Sequence, residues 1–319
     1  MRAVGGPGRW VWGLSGLATA AVLLVPSVRL LTAAGGPWHR QPAPDTVVRS
    51  LTMPEHVTSL DVQSYGGLVK VAAGPVSRVE VIETISYAKQ EGGLPAVVQS
   101  VSAGRLTLAA PACATSDCTV GFAVTMPAGI PATVTTDGSA AAVSGTAGAD
   151  VDSGGAPVTA EHIDGPLTVN TDGGSLQVDG AAGADLDSGG GPVTAEQIDG
   201  ALTVSTDGGA LQLTATAGPL RADTGGGPLS DQGADAATAD VSTDGGSARL
   251  AFSAAPDTVL LSTEGGPVTL TVPGGPYALA ADSEGGPQSV GIGTDPAARR
   301  SITVTSGGGS LQIGPAPGH

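Results

Sequence analysis

Residues 147–181 read AGADVDSGGAPVTAEHIDGPLTVNTDGGSLQVDGA, and residues 182–216 repeat them with identity at 25 of 35 positions. Each copy contains a shorter unit, in which a Thr or Ser and a pair of glycines precede an apolar residue. The hydroxyl positions are Thr136, Ser153, Thr171, Ser188, Thr206, Thr224, Thr243, Thr263, Ser283 and Ser306. Their spacings, 17 to 23 residues, suit one coil of a solenoid and are too short for a propeller blade of ~40 residues.

Apolar and polar residues alternate between the glycine pairs, as in Val158 and Ala160 and again in Leu167, Val169 and Thr171. This period of two is typical of a strand with one buried face. The Thr and Ser residues continue the inward parity, so we expect a ladder of hydroxyls beneath each corner. The sequence therefore predicts an all-β fold, a single-stranded β-solenoid or β-helix of about ten coils of 17–20 residues.

The glycine pairs mark sharp turns of the chain. One or both residues of a pair are expected at positive φ, which glycine adopts without strain. Corners without side chains also let successive coils stack about 4.8 Å apart. The predicted turn residues are Gly154, Gly155, Gly173, Gly174, Gly189, Gly190, Gly208, Gly209, Gly245, Gly246, Gly265, Gly266, Gly285 and Gly286.

Acidic residues flank the glycine pairs, before the hydroxyl in some units (Asp152) and after it in others. Carboxylates stacked directly at strand spacing repel, so the alternation of the two placements favours a soluble acidic surface. A divalent-cation site is the alternative, although no GGxGxD motif of calcium-binding nonapeptide repeats occurs. The weak Ca²⁺ candidates are Asp137, Asp172, Asp207 and Asp244. No cofactor is predicted.

Residues 1–34 carry a membrane signal. An apolar run over 11–31 follows two arginines, and 21 helical residues span about 32 Å, enough to cross a hydrocarbon core. Basic residues before the run favour a cytoplasmic N-terminus and an exported body. The prediction is one transmembrane helix that holds the protein in the cell membrane as a single-pass protein. The alternative is a signal peptide cleaved before Gly35, with secretion of the body.

Composition divides the remainder into three segments: a Pro-rich spacer over 35–52, a less regular β region over 53–126 and the Gly-Gly repeat over 127–319. Charge is also uneven, with a net of +2 in residues 1–120 and −18 in residues 121–319, which together make −16. So acidic a body repels phosphate backbones, and nucleic acid is excluded as a partner.

Few residues suggest chemistry. Cys113 and Cys118 form a close pair, which in an exported chain favours a local disulfide. His162 is replaced by Gln197 in the duplicate, so that position does not require an imidazole. No nucleophile elbow, P-loop or HExxH motif is present. The sequence therefore predicts no enzyme activity. A polysaccharide-acting β-helix enzyme is the last alternative, because such enzymes use carboxylates and acids are abundant here.

Three segments carry a family resemblance: LDVQSYGGLVKVAAG (60–74), VGFAVTMPAGIPATVTTDGSAAAVSG (120–145) and the DGG and SGG units up to Leu311. Together they make the chain resemble the bacterial putative-adhesin family of β-strand-repeat proteins of unknown function. The resemblance implies a surface-exposed, non-catalytic solenoid, often behind a single membrane anchor, and supplies no catalytic residues.

Two functions follow as expectations. The first is a putative adhesin or a structural or binding module of the bacterial envelope, with a cell-wall, glycan or protein surface as its ligand. The second is an accessory protein of envelope-stress signalling, since some members of the family accompany such systems.

Overall fold

The computed structural model of the chain describes residues 44–53, 56–88, 94–110 and 118–316. These residues contain 24 strands and no helix, and the strands join in one mixed sheet, so the all-β prediction is confirmed. None of the described segments forms a helix long and apolar enough to cross a membrane. The transmembrane helix predicted within residues 1–34 lies outside the described residues.

The strands follow one another along the whole described chain. They are β1 (Asp45–Thr52), β2 (Ser59–Ala73), β3 (Glu80–Tyr87), β4 (Val98–Ser102), β5 (Arg105–Ala109), β6 (Thr119–Met126), β7 (Ala132–Asp137), β8 (Ala141–Ser144), β9 (Ala149–Ser153), β10 (Val158–Thr171), β11 (Leu176–Asp187), β12 (Val193–Ile198), β13 (Leu202–Ser205), β14 (Leu211–Thr216), β15 (Leu220–Asp223), β16 (Leu229–Ala234), β17 (Thr238–Thr243), β18 (Ala248–Phe252), β19 (Thr258–Thr263), β20 (Val268–Val272), β21 (Ala278–Asp282), β22 (Gln288–Val290), β23 (Ser301–Ser306) and β24 (Leu311–Pro315). Strand β1 occupies the second half of the segment predicted as a spacer.

The strands of consecutive repeat units pair in parallel, and equivalent residues of the two units lie opposite each other. Val134 lies opposite Val151, Val151 opposite Val169, and Val169 opposite Leu186. A second row of strands does the same, with Val143 opposite Ala160 and Ala160 opposite Val178. Because the register advances by one whole unit at each step, every inward residue meets an inward residue of the next unit.

The core consists of columns of small aliphatic side chains. Val134, Val151, Val169, Leu186 and Val204 are each at most 1% exposed. Burying a side chain of this size contributes about 1.5–3 kcal/mol, so many modest contributions add up although only 3% of the chain is aromatic.

The first repeat-like strand lies one layer inside the stack. Strand β2 pairs in parallel on one side with β5 and β6 and on the other with β7 and β8. Leu60, for example, lies between Leu106 and Ala132. The chain thus builds the second layer first, then the outermost layer, then the third.

The opposite end of the stack inverts the order in the same way. Strands β23 and β24 lie between the β19–β20 layer and the β21–β22 layer. Val304, for example, has Leu261 on one side and Ala281 on the other. The chain skips one layer and then returns to fill it, which explains why the hydroxyl spacing widens to 23 residues at Ser306.

The two ends of the stack are finished differently. At the first end, β4 covers β5, β3 covers β6 and β1 pairs with β3, all antiparallel. At the other end, β21 and β22 pair only with β23 and β24 among the described strands, apart from an isolated bridge between Tyr277 and Thr294. One end is therefore covered by antiparallel strands. At the other end residues 293–295 pair with the beginning of β21, where Tyr277 N donates to the carbonyl oxygen of Gly293 and Asp295 N donates to that of Tyr277.

Candidate functional site

A buried hydroxyl closes each glycine corner. Ser188 Oγ donates to the carbonyl oxygen of Gly191 at 2.6 Å, and Thr224 Oγ1 donates to that of Gly227 at 2.7 Å. The same bond, to the residue three positions ahead, is made by Thr136, Ser153, Thr171, Thr206, Thr243, Thr263 and Ser283. Ser306 departs from it and donates to Gly266 of the neighbouring unit at 3.2 Å. These hydroxyls hold the turns together from inside.

An eleventh hydroxyl, that of Ser64, makes the same contact with Gly67 at 3.1 Å. Sequence reasoning missed Ser64 as a repeat position, although the segment SYGG around it has the same pattern.

The glycines of a corner have two distinct physical roles. The residue two positions after the hydroxyl has positive φ, as at Gly208 with 112°. Where the next residue is also a glycine, it has ordinary φ but no space: a Cβ on Gly209 would lie 2.1 Å from the carbonyl oxygen of Gly191. Two corners hold Ser139 and Ala156 at this position instead. In each predicted pair that follows an acid, such as Gly173 and Gly174, the two glycines hold these two positions in that order.

Pairs that directly follow the hydroxyl are shifted by one position. There the first glycine stands where other units have an acid, and the second has the positive φ, as Gly155 does with 91°. Gly189 and Gly190 both have positive φ. All the predicted turn glycines therefore lie at these corners.

The acidic residues at the corners are exposed, in two neighbouring columns. Two of the acids that precede the hydroxyl also shape the turn: Asp187 Oδ1 accepts the N–H of Gly189, and Asp223 Oδ1 that of Gly225, both at 3.2 Å. This turn contact gives a second physical reason for the alternating placement of the acids.

The four Ca²⁺ candidates are not brought together. Asp137, Asp172, Asp207 and Asp244 lie in every second unit, so consecutive candidates are separated by about 10 Å at strand spacing. The described ranges contain no group of three or more His, Cys, Asp or Glu side chains with the geometry to hold a metal ion. Cation binding at these residues stays a prediction.

Within the described ranges two carboxyl groups are buried, and sequence reasoning missed both. Asp231 is 0% exposed and accepts a hydrogen bond from Thr216 Oγ1 at 3.1 Å, while its Oδ1 has no partner. Burial raises the pKa of Asp231 to about 6. Glu83, also 0% exposed, accepts a hydrogen bond from Gln99 Nε2. The burial of Asp231 could have been predicted from the sequence, because Asp231 occupies the position of Leu213, the last residue of the LQL segment one unit earlier.

Apolar side chains are exposed mainly near the covered end. Among the described residues, six of the eight large exposed apolar side chains lie between residues 48 and 98. Three of them project from the same sheet: Val48, Leu68 and Ile82 are 62%, 59% and 46% exposed.

These three side chains share one face of β1, β3, β6 and β2. Ile82 lies opposite Ala123, and Ala123 lies opposite Lys70. In the neighbouring column, Val48 lies opposite Thr84. We call Val48, Leu68, Lys70, Ile82, Thr84 and Ala123 the apolar face; Leu68, Lys70, Thr84 and Ala123 line a groove of 290 Å³ within it.

The floor of this groove is formed by a residue without a side chain. Gly121 lies opposite Thr84, and a Cβ there would lie 2.9 Å from the carbonyl oxygen of Leu68. The apolar face thus combines exposed aliphatic side chains with a groove whose floor is backbone.

Two further predicted residues can be placed. His162 and Gln197 occupy the same exposed corner with φ of 53° and 56°, so the position is defined by its backbone and not by an imidazole. The predicted disulfide involves Cys113, which lies outside the described residues, and it stays a prediction.

Comparison with solved structures finds matches at low sequence identity and low TM-score. A putative adhesin from Parabacteroides merdae is 12% identical, with a TM-score of 0.37, over 84% of this chain and 95% of that one. A putative adhesin from Bacteroides fragilis is 12% identical, with a TM-score of 0.32, over 84% and 97%. A putative lipid binding protein from Parabacteroides distasonis is 9% identical, with a TM-score of 0.35, over 84% and 96%.

The resemblance to putative adhesins stated from the sequence is confirmed as a resemblance. No protein-family model matches the chain, and no curated protein matches it by sequence.

Proposed function

We propose that the chain is a non-catalytic binding module of the bacterial cell surface, built as a β-solenoid. The support for the solenoid is the parallel pairing of unit with unit, together with the columns of buried hydroxyls and of glycine corners. Such a stack is rigid because each layer is hydrogen-bonded to the next along two rows. The predicted membrane segment would tether this scaffold outside the cytoplasm.

The apolar face carries the proposal. The repeat itself presents acidic and hydroxyl side chains to solvent, whereas Val48, Leu68 and Ile82 expose aliphatic surface on one adjoining sheet. Exposed apolar surface that is rimmed by polar residues marks interaction sites. Aliphatic side chains with one lysine are suited to a protein surface as partner, because burial of apolar area supplies most of the affinity there.

Binding of the full chain to isolated envelope proteins tests this function. The double substitution Leu68→Ser and Ile82→Ser removes two central apolar side chains, and affinity should fall by about tenfold or more. Leu260→Ser is the matched control, since Leu260 is 45% exposed but lies in the repeat, away from the apolar face. Equal binding by both variants, or binding by neither variant nor the parent chain, would contradict the proposal.

A further inference from the structure

A pocket of 310 Å³ lies at the covered end of the stack, where three connecting segments meet. They are residues 56–58 before β2, 77–79 before β3 and 127–130 between β6 and β7. The segments meet because β2 lies between β6 and β7, so the connection from β2 to β3 bypasses β6 and the connection from β6 to β7 bypasses β2. The inverted order of layers thus creates a cavity within the size range of small-ligand sites, about 300–1,000 Å³.

The polar side chains that line this pocket are basic or carry a hydroxyl group. They are His56, Thr58, Ser77 and Arg78, all exposed, and no acid is among the described residues that line the pocket. Glu80 is exposed two residues beyond Arg78 but does not belong to the lining. In a chain with a net charge of −16, the pocket is therefore a local basic site.

The positive charge of Arg78 is not neutralised by a carboxylate of the described chain. The ion pairs among the described residues join Arg221 to Asp240 and Arg300 to Asp257. The guanidinium group of Arg78 is therefore available to an anion. Its planar array of N–H donors can bind two oxygens of one anionic group at once.

The remainder of the pocket is apolar. Val57, Val79 and Ile130 line it and are buried, and Pro127 lines it without an N–H group to donate. The carbonyl oxygen of Val79 already accepts the N–H of Met53 at 2.9 Å. An anion attached to a carbon group would therefore find donors and an apolar surface in the same cavity.

We propose that this pocket binds a phosphate monoester carried on a compact apolar group. Arg78, His56 and Ser77 hold the phosphate, and the carbon group packs against Val57, Val79 and Ile130. A monoester offers three free oxygens, which suits three donor side chains better than the two oxygens of a carboxylate do. Thr58 is not counted among the donors, because its hydroxyl donates to the carbonyl oxygen of Gly104 at 3.2 Å.

Titration calorimetry of the full chain in mild detergent tests the inference, with phenyl phosphate as the probe. Phenyl phosphate should bind about tenfold or more tightly than inorganic phosphate, which lacks the carbon group, and than phenol, which lacks the charge. Arg78→Gln should weaken its binding by about tenfold or more, because charge-assisted hydrogen bonds are lost. Arg249→Gln is the matched control, since Arg249 is exposed in the repeat and does not line the pocket.

Three results would overturn the inference: no binding of phenyl phosphate by the parent chain at millimolar concentration, equal affinity for inorganic phosphate or for phenol, or equal affinity of the two arginine variants. Phenylglyoxal, which modifies arginine side chains, provides a second measurement on the parent chain. Phenyl phosphate should slow the modification of Arg78 but not that of Arg249, as measured by peptide mass spectrometry. Protection of both arginines, or of neither, would also contradict the inference. The pocket and the apolar face share no residue, so either proposal can fail alone.

Discussion

Asp231 is an exception in a core of aliphatic columns. Its neighbours at the same position in the two adjacent units are Leu213 and Leu250, both fully buried. One hydrogen bond from Thr216 partly compensates the carboxyl group, but its Oδ1 has no partner. Ionisation of a carboxyl at such a site costs free energy, because water is excluded from the charge.

This burial makes the stability of the fold depend on pH. The pKa of Asp231 is raised from 3.8 to about 6 by burial, so the folded state holds the proton more tightly than the unfolded state does. Below pH 4 the buried carboxyl is protonated in both states and does not lower the free energy of unfolding. The free energy of unfolding then falls as the pH rises through 6, and above that pH the whole loss is present. Two pKa units correspond to roughly 3 kcal/mol.

Urea denaturation at pH 4 and pH 7.5 measures the effect. The variant Asp231→Asn keeps an acceptor for Thr216 and cannot ionise, so the parent should lose roughly 3 kcal/mol more than the variant over this interval. Comparison with the variant removes the contribution of the many exposed carboxylates, which both proteins share. Parallel pH profiles would show that Asp231 is not buried as described.

At the scale of the element, the glycine corner combines two requirements in adjacent residues. One residue needs positive φ, and the next must lie against the backbone of the previous unit. The hydroxyl beneath the turn donates a hydrogen bond to the carbonyl oxygen three residues ahead. This bond fixes the direction in which the chain leaves the turn. The pair of glycines is therefore needed both for the sharp turn and for the close approach of one layer to the next.

Alanine substitutions separate these two requirements. A Cβ on Gly209 would lie 2.1 Å from a backbone oxygen, so Gly209→Ala should cost about 1–3 kcal/mol or more, because the layers must move apart. Gly233 has φ of 78° and open space, so Gly233→Ala should cost only about 1–2 kcal/mol of backbone strain. Gly314, with open space and no positive φ, is the control, and Gly314→Ala should be nearly neutral. Chemical denaturation measures all three; equal costs at Gly209 and Gly314 would contradict close stacking.

Local pattern was enough to predict much of this element. The alternation of Leu167, Val169 and Thr171 gave the strand and its inward face, because parity in a strand depends only on neighbouring residues. The burial of Asp231 followed the same parity but required alignment of one unit with the next.

The order of layers could not be predicted from local pattern. Leu60 packs between Leu106 and Ala132, and any aliphatic strand of the repeat would satisfy such a position. The choice of neighbour depends on the length of the connecting segments and on which edges are already covered. The apolar face was missed for a related reason, since Ile82 and Ala123 meet only through antiparallel pairing of β3 with β6.

At the scale of the whole molecule, the two ends of the stack differ in what they offer. The covered end carries antiparallel strands and the apolar face, whereas at the other end residues 293–295 pair with the beginning of β21. The first strand of the repeat, β2, and the last two, β23 and β24, each lie between two layers. None of them can fray without breaking the hydrogen bonds to strands on both sides. This arrangement suits a rigid scaffold.

Distances between outward-facing residues of one column test the stack and its inverted order together. From Asp150, the column passes through successive units to Leu260, then Thr303, then Ala280. At ~4.8 Å for each layer, spin labels on Asp150 and each of these three positions should be about 29, 34 and 38 Å apart. The labels are attached to an unnatural amino acid with a ketone side chain, so the native cysteines are not modified. Double electron–electron resonance then measures the distances between the labels. A label at position 280 lying nearer to position 150 than one at 303, or distances that do not grow with layer number, would contradict the account.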